Sequence, residues 1–113
     1  MEDTQEILNG YKSYGLSYKA DVIYLLTDFY YQPVQSYLPW YLSPASGGDE
    51  PMPEQIAVNG LLSTTLVEKV NKADKLRVRL VGGSAFSMFN ISVDGMALTV
   101  IEIDGEPTVP FDV

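Results

Sequence analysis

Few of the side chains could act on a substrate. The 113-residue sequence contains no His and no Cys. That removes the Ser-His-Asp triad, the thiolate nucleophile, disulfides, imidazole and thiolate metal ligands, and any side-chain base titrating near neutrality. Carboxylates, Lys, Tyr and hydroxyls remain. Asp28 closes an apolar run, while Asp49-Glu50 and Asp104/Glu106 fall in turn-rich segments. Such acids could form a two-carboxylate glycosidase site, but no spacing favours one. Phe29, Tyr30, Tyr31, Tyr37, Trp40 and Tyr41 could stack a sugar or an aromatic substrate. Aromatics this dense around proline more often fill a seam between helical turns and a sheet, hydroxyls bonded, and packing is the favoured reading. Asn90-Ile91-Ser92 is an N-glycosylation sequon, meaningful in a secreted chain, and the local pattern puts it mid-strand, a poor acceptor position.

Charge narrows the partners. Seven Lys plus Arg against fifteen Asp plus Glu give a net charge of -8. Nucleic-acid binding needs a basic stripe, and docking on anionic lipid needs basic clusters; this balance predicts neither partner. At 46% hydrophobic and 19% charged the composition is ordinary for a single globular domain. No stretch reaches the roughly 20 apolar residues that span a bilayer. Met1-Glu2-Asp3-Thr4-Gln5-Glu6 is acidic where a signal peptide carries positive charge. The compartment stays open.

The elements that must position these residues read as strands. Residues 1–19 form a polar lead-in arm, with room for one short strand, and 20–113 form the domain. Asp21 through Tyr31 is rich in β-branched and aromatic residues and suits a strand covered on both faces. After Pro33, apolar residues at 34, 37, 38, 41 and 42 keep a helical period, which Pro39 is expected to break into two short turns. Residues 43–53, dense in Gly, Pro and acids, are a surface loop. Strands follow at Ile56–Val58, Thr65–Val70, Leu76–Val81, Phe89–Val93, Leu98–Ile103 and Val109–Val113, separated by Asn59-Gly60, Gly82-Gly83, Asp94-Gly95 and Asp104-Gly105. In Leu76–Val81 the alternation puts Leu76, Val78 and Leu80 inward and Arg77 and Arg79 outward. The two arginines, with Glu102 on a neighbouring strand, read as cross-strand charge pairs on a solvated face. The last strand has no polar tail, as expected of a segment of a longer protein.

Several of these segments resemble one family. Thr27-Asp28-Phe29-Tyr30-Tyr31 is similar to the run that closes the opening strand of the middle domain of multicopper oxidases, with Phe for Trp and Tyr for His. Leu38-Pro39, Pro51-Met52-Pro53 and Val58-Asn59-Gly60 resemble that domain's proline-rich loop and Asn-Gly turn. The most specific likeness is Leu76-Arg77-Val78-Arg79-Leu80-Val81-Gly82-Gly83, then Phe89-Asn90-Ile91-Ser92-Val93-Asp94-Gly95-Met96 and Leu98-Thr99-Val100-Ile101-Glu102-Ile103-Asp104-Gly105. It covers about residues 20–113. Met96 stands where the family usually has a His that is not a copper ligand.

The resemblance implies an all-β fold, an antiparallel Greek-key β-sandwich of the cupredoxin kind, with seven or eight strands and short helical turns near 33–43. It implies a copper-free spacer domain, part or stand-alone relative of an oxidase that couples oxidation of phenols, ascorbate or metal ions to reduction of dioxygen. The copper would sit in the parent's other domains and none in this chain. Asp28 would line the substrate pocket; otherwise it caps a turn or pairs with a cation. The expected partners are flanking cupredoxin domains or, for the chain alone, a weak homodimer. The family's members are commonly exported. A non-catalytic sugar- or protein-binding module is the alternative, and a copper-independent hydrolase the remotest reading.

Overall fold

A computed structural model describes residues 10–62 and 66–113. The apolar, β-branched run opens as β1 (Ala20–Phe29), and Pro33 ends the extended chain and caps α1 (Val34–Tyr41). A single 3-10 turn covers Pro44–Ser46; β2 (Gln55–Val58), β3 (Leu61–Leu62), β4 (Leu76–Gly82), β5 (Thr99–Ile103) and β6 (Glu106–Asp112) follow. α1 runs through Pro39 instead of breaking there. The missing proline N–H removes one intrahelical bond, and the Leu42 N–H still reaches the Leu38 carbonyl at 2.9 Å.

The strands form two sheets. One has the order β3-β2-β1-β4, and β5 and β6 form an antiparallel hairpin. β1 lies antiparallel to β2 but parallel to β4, from Ala20↔Leu76 to Leu26↔Gly82. The larger sheet is therefore mixed, where uniform antiparallel pairing was expected. Six strands are present among the described residues. Residues 66–70 form no strand, and Thr65 lies outside the described residues. Of the strand expected at Phe89–Val93 only an isolated Val93–Met96 bridge forms, around Asp94-Gly95. In the lead-in arm residues 10–13 are helical, and 14–18 carry no strand; residues 1–9 lie outside the described part.

Asn59-Gly60 makes the β2–β3 turn with both residues at positive φ, +52° and +76°, the geometry of a two-residue hairpin loop. The Asn59 side chain then takes over where β2 stops. Its Oδ1 accepts the Leu25 N–H at 2.8 Å, and its Nδ2 donates to the Ile23 carbonyl at 3.1 Å. One carboxamide thus extends the β1 ladder beyond Leu26↔Val58. Asn59→Ala loses two hydrogen bonds and puts a Cβ without local compensation in the left-handed region. The expected cost is about 2 kcal/mol, read as a lower urea midpoint. A loss below about 0.5 kcal/mol would mean that water serves Leu25 and Ile23 equally well.

Burial is inverted relative to the sequence pattern. The alternation in β4 holds, but Arg77 is only 6% exposed while Val78 and Leu80 are 40% and 47% exposed. Paired residues share a face, so Val22, Tyr24, Leu26, Ile56, Val58, Leu61, Val78 and Leu80 form one apolar surface. Among the described residues no second sheet covers it; only the loop at Phe86 and Ser87, held by Asp28 on the same face, approaches it. The opposite face is closed only at its Arg77 end; farther along it Ile23, Leu25 and Val81 are exposed too. The accessible surface is 8920 Å², against about 6,200 Å² for a compact monomer of this mass. The radius of gyration is 18.6 Å, against about 13 Å for a compact domain of this length.

Candidate functional site

Arg77 is where the two sheets and the arm meet. Its guanidinium lies over the rings of Tyr11 and Tyr18, 5.6 and 5.5 Å from their centroids. It donates to the Tyr18 hydroxyl at 3.2 Å and to Glu102 Oε2 at 2.5 Å. The Tyr11 hydroxyl donates to the same Glu102 oxygen at 3.4 Å. Beside it Arg79 Nε donates to both oxygens of Asp21, at 2.8 and 3.1 Å. The charge pairing expected between these arginines and Glu102 is present, but it crosses from β4 to β5, between sheets, and the face is closed rather than solvated. The planar guanidinium explains why: it stacks on aromatic faces while its edge donates, which lets a cation occupy a core position. Burial pushes the Arg77 pKa down and Glu102 pulls it back, while burial foremost and then Glu102 push the Tyr11 hydroxyl up.

The second constellation is built on Asp28, near the end of β1. Its carboxylate accepts the Phe86 N–H at 2.7 Å and the Ser87 N–H at 3.2 Å. Just upstream, Gly83 brings the chain so close to β1 that a Cβ would lie 2.8 Å from a Leu25 methyl, and its N–H donates to the Leu26 carbonyl at 2.8 Å. The carboxylate therefore clasps the loop after β4 onto β1. Hydrogen bonding from the Ser87 hydroxyl, then from the Phe86 and Ser87 N–H groups, holds the Asp28 carboxyl below the usual aspartate range against partial desolvation.

The clasped loop shapes the surface. Ser87 lines an open cleft of about 540 Å³ with Met52, Pro53, Glu54, Gln55, Ile56, Val58 and Leu61. Phe86 lines a second, of about 530 Å³, with Gly48, Asp49, Glu50 and Met52. Asp28 lines neither; it positions the residues that do. Glu54, at the first cleft, accepts from the Tyr37 hydroxyl and from the Tyr31 N–H at 3.2 Å, and the Tyr37 bond foremost holds its carboxyl low. Tyr37 and Glu54 join α1 to the start of β2, a link that no sequence spacing announced.

The aromatic cluster divides into pairs. Phe29 and Tyr31 meet edge-on at 5.7 Å, and Tyr30 and Tyr37 are tilted at 5.6 Å. The Tyr30 hydroxyl donates to the Pro51 carbonyl at 3.1 Å. Edge-on and tilted, these rings make no coplanar shelf, while Trp40 on α1 is 47% exposed. Asp104 and Glu106 flank the exposed β5–β6 turn.

Acid should loosen the clasp. A carboxyl with a folded pKa below its unfolded value contributes stability that is fully present above the unfolded value, about 4, and lost as pH falls through the folded one. Asp28 and Glu54 both have this sign. Urea midpoints should hold from about pH 7 to 5 and fall below about pH 4, and Asp28→Asn should flatten that fall. An unchanged acid slope in the variant would show that the clasp contributes nothing.

The family model for multicopper oxidases matches residues 20–113. The chain belongs to the multicopper oxidase family. It is 30% identical over 100 residues to the iron transport multicopper oxidase fio1 of Schizosaccharomyces pombe, covering 85% of this chain and 15% of that protein. It is 27% identical over 93 residues to the iron transport multicopper oxidase FET3 of Gibberella zeae, covering 81% and 15%. With Laccase-2 of Fomitopsis schrenkii it shares 30% over 92 residues, covering 75% and 16%. The chain thus spans about one-sixth of the length of these relatives. No solved structure matches it. Its β-rich fold with few helices is consistent with a cupredoxin-like domain.

Copper does not fit the residues this chain supplies. A type 1 centre takes a thiolate and imidazoles, and a trinuclear centre takes many imidazoles. The sequence has neither donor. Among the described residues no group of three or more carboxylates is placed to hold an ion.

Proposed function

We propose that this chain is a copper-free domain of a multicopper oxidase. It acts as a spacer between copper-bearing domains and forms one wall of the substrate pocket. The observation that carries this reading is the open apolar surface. Ile56, Leu61, Val78 and Leu80 share one face of a sheet, each 40–52% exposed, in a chain whose accessible area is about 2,700 Å² above that of a compact monomer. Monomers seldom leave such a surface to water. Standard complexes bury about 800 Å² per partner, so the excess is enough for more than one neighbour. Flanking cupredoxin domains fit the family membership.

In this role the Asp28 clasp keeps Phe86 and Ser87 at their clefts, so Asp28 serves the pocket by positioning its wall. The parent would oxidise a phenol, ascorbate or a metal ion and reduce dioxygen to water, with the copper chemistry in its other domains. The test is the coding sequence on either side. His-x-His pairs upstream with a His-Cys-His run downstream support the reading, and open flanking frames without either motif would overturn it.

A further inference from the structure

The segment after the Asp28 clasp carries Asn90-Ile91-Ser92, the one Asn-x-Ser/Thr triplet in the sequence. Periodicity put this triplet mid-strand; the structure does not. Residues 88–92 form neither strand nor helix and run between two fixed points. On one side the Ser87 N–H is held by Asp28, and on the other Val93 bridges to Met96 across the Asp94-Gly95 turn. Between them Asn90, Ile91 and Ser92 are all exposed, and Met88 is 99% exposed.

We propose that Asn90 accepts an N-linked glycan when the chain passes through the endoplasmic reticulum. The donor is an oligosaccharide carried on a lipid pyrophosphate. Asn90 Nδ2 attacks C1 of its first sugar, the C1–O bond to pyrophosphate breaks and the C1–Nδ2 bond forms. The amide gives up one proton, and the lipid pyrophosphate leaves with the bonding pair. Ser92 supplies the hydroxyl that the transferase reads, and the residue between is not proline. The transferase needs an acceptor peptide with no ladder bonds to surrender, and 88–92 offers one, anchored at both ends. A glycan there keeps this strap facing solvent in any assembly. The inference does not depend on the family reading.

The chain, placed behind a cleavable secretory leader in yeast, is assayed in both cell extract and medium. The expected product is heavier than the polypeptide, returns to polypeptide mass on amidase treatment with Asn90 converted to Asp, and keeps a β-type circular dichroism spectrum. Asn90→Gln and Ser92→Ala lose the added mass, and Ser92→Thr keeps it. Ser92→Ala leaves the acceptor in place and alters one exposed hydroxyl, so its failure cannot be laid to misfolding. Bare polypeptide in both fractions, added mass that survives Asn90→Gln, or loss of the β spectrum on glycosylation would each overturn the proposal.

Discussion

Arg77→Met is expected to lower stability by about 3 kcal/mol, more than any other single change in β4. Arg77 touches the arm, its own sheet and the β5–β6 hairpin at once, through Tyr11, Tyr18 and Glu102. Methionine removes both ring contacts, each worth roughly 0.5–2 kcal/mol. It also strands the Glu102 carboxylate, whose next cation, Arg79, lies 4.0 Å away. Arg77→Lys should recover less than half of the loss, because an ammonium has no flat face to lay over the rings while its edge donates to Glu102. Urea unfolding followed by Trp40 fluorescence and by circular dichroism reads the effect. Arg79→Met is the control, since its side chain holds Asp21 near the sheet surface. An Arg77→Met loss no larger than the Arg79→Met loss would show that the two rings and Glu102 do not act together.

Taken alone, the chain should dimerise weakly, and more so in salt. The exposed faces favour contact, as does β4, a seven-residue edge strand with no proline. Two other edges are better protected: β3 is two residues long, and β6 carries Pro107 and Pro110. The charge of -8 opposes association, and salt screens it without weakening apolar contact. Leu80→Lys, at a half-exposed position, removes about 1 kcal/mol of apolar burial per copy, so a twofold dimer should weaken roughly thirtyfold. Sedimentation equilibrium at low and high salt measures both effects. A strict monomer at every salt concentration would mean that the faces find no cover in a second copy.

Much of the fold was legible from local chemistry. β1, the Asn59-Gly60 turn and the β5–β6 hairpin at Asp104-Gly105 follow from side-chain type and turn residues, which act over a few positions. What failed depends on distant chain. The β1–β4 pairing joins residues more than fifty apart, and nothing in either strand distinguishes a parallel from an antiparallel neighbour. The Arg/apolar alternation in β4 was visible, but which face would close was not. Closure came from Tyr11 and Tyr18 in an arm without periodicity. Phe89–Val93 alternates like a strand yet finds no ladder partner beyond one bridge. At the site, Asp28 was legible as an acid at a strand end with two roles open. Its partners, the Phe86 and Ser87 N–H groups, are backbone and leave no mark in residue type. Glu54 carries no sequence signal, because its link to Tyr37 spans a loop of Gly and Pro.

Copper titration tests the central proposal most directly. A domain that holds the copper of its neighbours apart, without binding any itself, should give no stoichiometric site when Cu(II) is titrated into the purified chain by calorimetry. Carboxylates without nitrogen donors should leave only weak, unsaturating heats. One tight Cu(II) per chain, with the resonance signature of nitrogen ligation, would contradict it.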